Sequence, residues 1–456
     1  MRPAISLTII IPLLLAILAQ PSSEAQSSDE ISITGLFLSL LRTDPQSNDL
    51  VLEYLDETWE EHYAIMAVEI AYFSRDPNVF RKLIRLLNNK TGQNLGTDLD
   101  AWYSFIWSQD PKIHPDTYAF KANLYRLVDP RFETYFKDRN NATIRLDEIR
   151  WGGVVQDGIP PLRNPEMLEA SAATYLQDDH VVFGISINGD ARAYPKRILA
   201  WHEMFVDEVG GKKVAGVYCT LCGTVIIYDT VHNGVEHHLG TSGFLYRSNK
   251  LMYDKDTQSL WNTVWGKPVL GPLVGENIEL EQLSVVTTTW GEWKQRHPET
   301  TVLSLNTGHQ RDYGEGIAYQ DYFATDELMF HTPFKDDRLK NKESVLALNF
   351  AEANGQALAI ATEFLNANPV YQDDLGPISF VVFTDPSGAN RIYEDQGNRF
   401  TSFDGAATAE DAAGGSWTIF ESHLSGPEGQ RLERLPQRNA FWFGWLAAYP
   451  DTRLVH

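Results

Sequence analysis

Val217-Tyr-Cys-Thr-Leu-Cys-Gly-Thr-Val-Ile-Ile-Tyr-Asp229 holds both cysteines of a 456-residue chain, Cys219 and Cys222. They form a C-x-x-C-G turn between two runs rich in β-branched and aromatic residues, which read as strands. Two thiols at this spacing can ligate a soft metal ion, cycle between dithiol and disulfide, or form one static bridge. A single pair cannot staple a chain of this length, so a disulfide framework is excluded.

Strand and turn signals continue on both sides. Val181–Ile187 reads as a strand, Asn188-Gly189 as a tight turn and residues 191–194 as the return strand. Residues 198–205 read as a short helix or turn carrying Trp201-His202-Glu203. Gly210-Gly211 then reverses the chain into 213–218. After the cysteines come a strand at 224–228 and a hairpin at Asn233-Gly234. Residues 240–265 are dense in polar and aromatic side chains and read as functional loops. Further strands are expected at 301–305, 345–350, 357–361, 378–383, 391–393, 399–403 and 417–420. No internal repeat is evident.

Upstream the period changes. Val51, Leu55, Trp59, Met66 and Ile70 suit one helical face. Asp76-Pro77 opens a further helix and Gly92 closes it. Two more follow, after Asp98 and from about Thr117. Residues 29–47 read as a polar lead-in. The fold class is therefore α+β: an all-helical domain of paired helices over 48–145, then a large, mainly antiparallel β domain over 149–456.

Several blocks together resemble domain-of-unknown-function family 3179, a family of exported prokaryotic proteins. They are Asp157-Gly-Ile-Pro160, Asp190-Ala-Arg-Ala-Tyr-Pro195, Trp201-His-Glu203, Tyr218-Cys-Thr-Leu-Cys-Gly-Thr224, Leu251-Met-Tyr-Asp254, Ser259-Leu-Trp261 and Ala440-Phe-Trp-Phe443. The resemblance runs from about Ile149 to the C-terminus and implies an exported β-rich domain with no established activity. Thr220 departs from the family, which usually has proline there.

A metal at the cysteine turn needs more donors. If the segments flanking Gly210-Gly211 pair, His202 falls beside the cysteines. Cys219, Cys222 and His202 would then hold zinc or copper with one open position. Glu203, Asp254 and Asp229 are the candidate general bases or ligand-orienting groups, with Glu203 and Asp254 taken as catalytic. This describes a metalloprotein, an oxidoreductase or a hydrolase. The alternative is a non-catalytic binding or scaffold protein in which Cys219 and Cys222 form a structural bridge. A thioredoxin-like centre is disfavoured, because a strand rather than a helix follows Cys222. Asp190, Arg192 and Tyr194 read as a structural pair with its neighbour. Trp261, Trp265, Trp290 and Trp293 read as core before they read as a polymer-binding surface.

The balance of 61 acidic against 38 basic side chains, net −23, argues against nucleic acid as a partner. A small molecule, an extracellular polymer or a protein docked on the helical domain fits better. Arg2, the apolar run 7–19 and the polar stretch 20–28 suggest a signal peptide over residues 1–25, with an uncleaved anchor as the competing reading. The expected destination is the periplasm or the exterior. No later run is long and apolar enough to span a bilayer.

Overall fold

A computed structural model describes residues 32–456, apart from 43, 113, 138–140 and 331. The expected signal peptide lies outside the described residues. Seven helices come first: α1 (Ile33–Ser39), α2 (Pro45–Glu57), α3 (Tyr63–Phe73), α4 (Pro77–Thr91), α5 (Leu99–Ser108), α6 (Pro115–Arg126) and α7 (Phe132–Tyr135). The local signals act as expected at α4. The Asp76 carboxylate accepts from the Asn78 amide at 2.8 Å, and Gly92 ends the helix at φ 70°.

Two expectations change. The supposed lead-in contains α1, because Phe37 and Leu40 are buried and anchor it. The single face drawn from Val51 to Ile70 is two helices, broken between Glu57 and Tyr63. The second of these, α3, is buried almost along its length. Its Glu69 meets Lys121 in a buried ion pair and accepts from the Tyr125 hydroxyl at 2.6 Å.

Mainly antiparallel and some mixed sheets follow. The first sheet orders Ile149–Trp151, Leu239–Tyr246, Asn249–Asp254, Leu260–Asn262 and Lys267–Leu270. Its Phe244 packs against Tyr125, Phe132 and Phe136, so helices and sheet share one core. Residues 240–265 are thus largely strands rather than functional loops. Many of their polar side chains misled because they are buried within the sheet: Ser242 Oγ, for one, donates to the Leu251 carbonyl at 2.6 Å.

The β region contains an internal repeat that the sequence did not reveal. Its first copy orders Val286–Thr289, Val181–Ile187, Asp190–Pro195 and Thr301–Leu303, the last two parallel. Its second copy orders Arg438–Phe441, Ser344–Leu348, Leu358–Ala361 and Arg453–Val455, again with the last two parallel. A short helix follows the hairpin in each, α8 (Lys196–His202) and later α11 (Thr362–Ala367). Between these lie α9 (Trp290–Arg296) and α10 (Gln320–Phe323); α12 (Trp442–Ala448) matches α9.

Side chains support the equivalence. In α9 the Trp293 indole donates to Thr300 Oγ1 at 2.9 Å and lies 4.2 Å from the His297 ring. In α12 the Trp445 indole donates to Thr452 Oγ1 at 2.9 Å and lies 4.4 Å from the Tyr449 ring. Each copy also carries a three-stranded unit. The first is Met204–Val209, Lys212–Cys219 and Thr224–Asp229; the second is Val370–Leu375, Ile378–Thr384 and Asn390–Glu394. An antiparallel meander follows each unit. Among the described residues no helix is long and apolar enough to cross a membrane.

Candidate functional site

The hairpin across Gly210-Gly211 forms as the glycines predict, with Met204 opposite Val217 and Val209 opposite Lys212. Cys219 ends one strand opposite Thr224, and Thr220 to Gly223 make the turn. The two sulfurs are bonded to each other, with Cα atoms 5.3 Å apart. In this state the cysteines hold one another rather than an ion. Both are buried, Cys222 completely and Cys219 to 5% exposure.

The turn is enclosed by distant parts of the chain. Cys222 Sγ lies 3.2 Å from the Ser248 carbonyl oxygen, at the tip of the hairpin that Asn249–Asp254 completes. The Phe441 amide donates to the Cys222 carbonyl at 2.7 Å. Gly444 of α12 sits so close that an added Cβ would lie 3.0 Å from the Cys222 Cβ. Gly223 adopts φ 60° under the Phe441 ring. The Tyr322 hydroxyl donates to the Leu221 carbonyl at 2.8 Å and covers the turn.

His202 ends α8 and Glu203 follows it, just before the paired hairpin begins. Glu203 takes φ 54°, a left-handed conformation unusual for a side chain of its size. Two bonds hold it there, from the Glu203 amide to the Leu199 carbonyl and from the Tyr218 amide to the Glu203 carbonyl. The twist sends the two side chains to separate environments.

His202 is fully buried. Its Nδ1 lies 2.9 Å from the Pro160 carbonyl oxygen, which only accepts, so Nδ1 carries the proton. Nε2 then accepts from the Tyr313 hydroxyl at 2.5 Å, and Tyr313 in turn meets Thr307 Oγ1 at 2.6 Å. Burial, assisted by His309 and Arg311, pushes His202 down to about 4, so the ring is neutral at ordinary pH.

Glu203 points to Lys250, with Nζ 2.8 Å from Oε2, and the Tyr319 hydroxyl lies 3.4 Å from Oε1. Both charged residues are buried, Glu203 at 7% and Lys250 at 5% exposure.

The structure thus brings the cysteine turn, His202 and Glu203 to one end of the hairpin, but both His202 ring nitrogens are engaged by Pro160 and Tyr313. Asp254 is elsewhere. It lies five residues from Asn249 along a strand, about 16 Å away by strand rise. Its Oδ1 accepts from the amides of Asp256 and Thr257, and Oδ2 faces His237 Nδ1 at 3.3 Å. Asp411 ends the corresponding strand of the second copy and caps a one-residue-shorter turn, accepting from the amides of Ala413 and Gly415. Asp254 is accordingly a turn-forming residue in both geometry and repeat position. Asp229 accepts from the Val231 amide and pairs with Lys212 at 3.0 Å.

Asp190, Arg192 and Tyr194 do converge. Arg192 bridges Asp190 and Asp207, and Tyr194 donates to Asp207 at 2.7 Å, a structural knot. Trp261, Trp290 and Trp293 are core. Sequence reasoning missed Lys250, Tyr313 and Tyr319 as neighbours of the site. Lys250 adjoins the Leu251–Asp254 block, the one local signal that pointed towards it.

The fold defines a class: a duplicated, mainly antiparallel β protein with an N-terminal helical layer and one buried C-x-x-C bridge. A family model described as a protein of unknown function (DUF3179) matches residues 156–452, and the chain belongs to that family. No curated protein and no solved structure matches it.

Proposed function

We propose that the protein is exported and that Cys219–Cys222 is a thiol–disulfide centre rather than a staple. One observation carries this. The equivalent turn of the second copy, between Thr384 and Asn390, closes without any cysteine. There Asp385 accepts from the Ser387 and Ala389 amides, and Arg391 clamps Asp385 at 2.9 Å. The fold therefore makes this turn by ordinary means, and the bridge answers to chemistry. The apolar run 7–19 behind Arg2 supports export, where such a bridge persists.

The partner would be an exported dithiol. Its thiolate attacks one sulfur, and the other leaves and takes a proton. The partner's second thiol then resolves the mixed disulfide, leaving two cysteine thiols here and a disulfide there. Access requires Tyr322 to lift from Leu221. The test is equilibration in thiol–disulfide buffers with alkylation and mass analysis. A midpoint between about −120 and −270 mV, the span of exchange proteins, is expected. A midpoint below about −300 mV would return the bridge to the structural role of a binding or scaffold protein.

A second reading rests on the His202 tautomer. A ring that donates Nδ1–H to a carbonyl and offers Nε2 is the form that ligates metals. Once the bridge is reduced, Cys219, Cys222 and His202 would hold zinc or copper if Nε2 left Tyr313. Zinc taken up by reduced protein beyond what the oxidised protein binds, lost in Cys219→Ser/Cys222→Ser and weakened in His202→Ala, would support it. Uptake unaffected by these changes would remove it.

A further inference from the structure

Far from the cysteines, α3 and α6 begin side by side. His62 immediately precedes α3 and His114 immediately precedes α6. Their rings stack with centroids 3.8 Å apart and planes 14° apart. Glu60 Oε2 lies 3.5 Å from His62 Nδ1. Asp116 Oδ2 lies 3.8 Å from His62 Nε2 and 3.4 Å from His114 Nδ1. One donor atom each from Glu60, His62 and His114 falls within 4.8 Å of the other two, and no other such trio occurs among the described residues.

A second observation singles this cluster out. The His62 side chain is only 9% exposed, and its Nε2 is buried with no hydrogen-bond partner. An unsatisfied buried nitrogen is costly and calls for a partner. The positive ends of two helices would repel a cation, and the carboxylates of Glu60 and Asp116 offset that field.

We propose that Glu60, His62 and His114, with Asp116 beside them, form a divalent transition-metal site of the zinc type that ties α3 to α6. Two imidazoles and a carboxylate are a donor set that zinc accepts. Ligand atoms on one tetrahedral zinc sit about 3.3 Å apart, given bond lengths near 2.0–2.1 Å, and the ion lies in the plane of each ring, so the trio closes when the His114 side chain, 41% exposed, turns out of the stack. The site lies outside the matched family region and shares no residue with the cysteine centre.

The test uses the full chain with its bridge oxidised, so that the cysteines cannot take metal. The protein is equilibrated with micromolar zinc, desalted and analysed for metal, with thermal unfolding in parallel. One zinc per chain and a rise in melting temperature are expected. His62→Gln and His114→Gln should each weaken uptake at least about tenfold, the scale seen even for groups that only orient ligands. Cys219→Ser/Cys222→Ser should bind as before. Should a histidine variant fail to fold, Asp116→Asn, at a side chain 42% exposed, provides the same comparison by a weaker loss. Absence of uptake, or uptake indifferent to all three substitutions, overturns the proposal.

Discussion

If the Cys219–Cys222 bridge is chemical rather than architectural, removing it should cost little. The bridge spans a sequence separation of 3, closing a loop of about four residues. The chain-entropy relation gives about 6 cal/mol/K for such a loop, or about 2 kcal/mol at 25 °C, against about 4.7 for a 100-residue loop. Cys219→Ala/Cys222→Ala should therefore lower the unfolding free energy by about 2–3 kcal/mol relative to oxidised protein. Relative to reduced protein it should cost about 1 kcal/mol, because each substitution removes a single buried sulfur atom.

The equivalent turn supplies the control. Arg391 is 1% exposed and holds Asp385 at 2.9 Å and Glu421 at 2.8 Å, with Glu292 at 3.7 Å. Arg391→Met leaves buried carboxylates unpaired, a loss of about 3–5 kcal/mol. Guanidinium denaturation followed by tryptophan fluorescence ranks the two variants. If the cysteine variant proves the more damaging, or fails to fold, the bridge is a keystone and the reasoning fails.

The Glu203–Lys250 pair gives a parallel expectation. Lys250→Met should cost about 3–5 kcal/mol, whereas Glu203→Gln/Lys250→Met should recover most of it; equal damage in both would show that packing, not charge, matters there. His202 titrates far below a free imidazole, at about 4 against 6.5. The unfolded chain therefore binds the extra proton first, and stability intact above pH 6.5 is lost as pH falls towards 4, by about 3 kcal/mol. His202→Gln should flatten that limb of a stability–pH curve, and an unchanged limb would assign it to other groups. Gly223→Ala must adopt φ 60° and place its Cβ 2.8 Å from the Phe441 ring, so a loss of about 1–3 kcal/mol is expected in the same denaturation assay. Reduction of the bridge should raise hydrogen exchange at the Phe441 amide, which is bonded to Cys222, while Trp290 in α9 stays protected; equal change at both would deny a local effect.

Local grammar was legible and distant pairing was not. Gly210-Gly211 and Asn188-Gly189 announced their hairpins because a reversal with positive φ needs such residues within a few positions. Asp76-Pro77 and Gly92 bounded α4 for the same reason. His62 and His114 gave no warning, since only the packing of α3 beside α6 stacks them. Tyr313 reaches His202 from 111 residues further along the chain, a pairing that no local pattern announces. The repeat stayed hidden because its copies share little beyond Trp-x-x-Trp and a later Pro-x-Thr, at Trp290 to Thr300 and Trp442 to Thr452. Conserving a fold requires the indole–hydroxyl bond and the helix register, not the residues on the turns.

The duplication also explains why the two turns can differ so far. Each is closed by the opposite copy. The Cys222 carbonyl accepts from Phe441 at the start of α12, while Ser387 lies 3.1 Å from Thr288, just before α9, and Glu292 of α9 faces Arg391. Reciprocal docking of this kind braces both turns from outside, in addition to the bonds that Asp385 makes within its own turn. The second copy has filled its turn with an ion cluster, in which Asp385, Arg391 and Glu421 neutralise one another and little is left to react. The first has kept its turn free of charge, placed the only two cysteines of the chain there, and set a neutral imidazole and a buried Glu–Lys pair beside it. One copy acts as the wall against which the other holds its bridge, and the proposed thiol–disulfide role of that bridge would account for a duplicated fold with a single C-x-x-C.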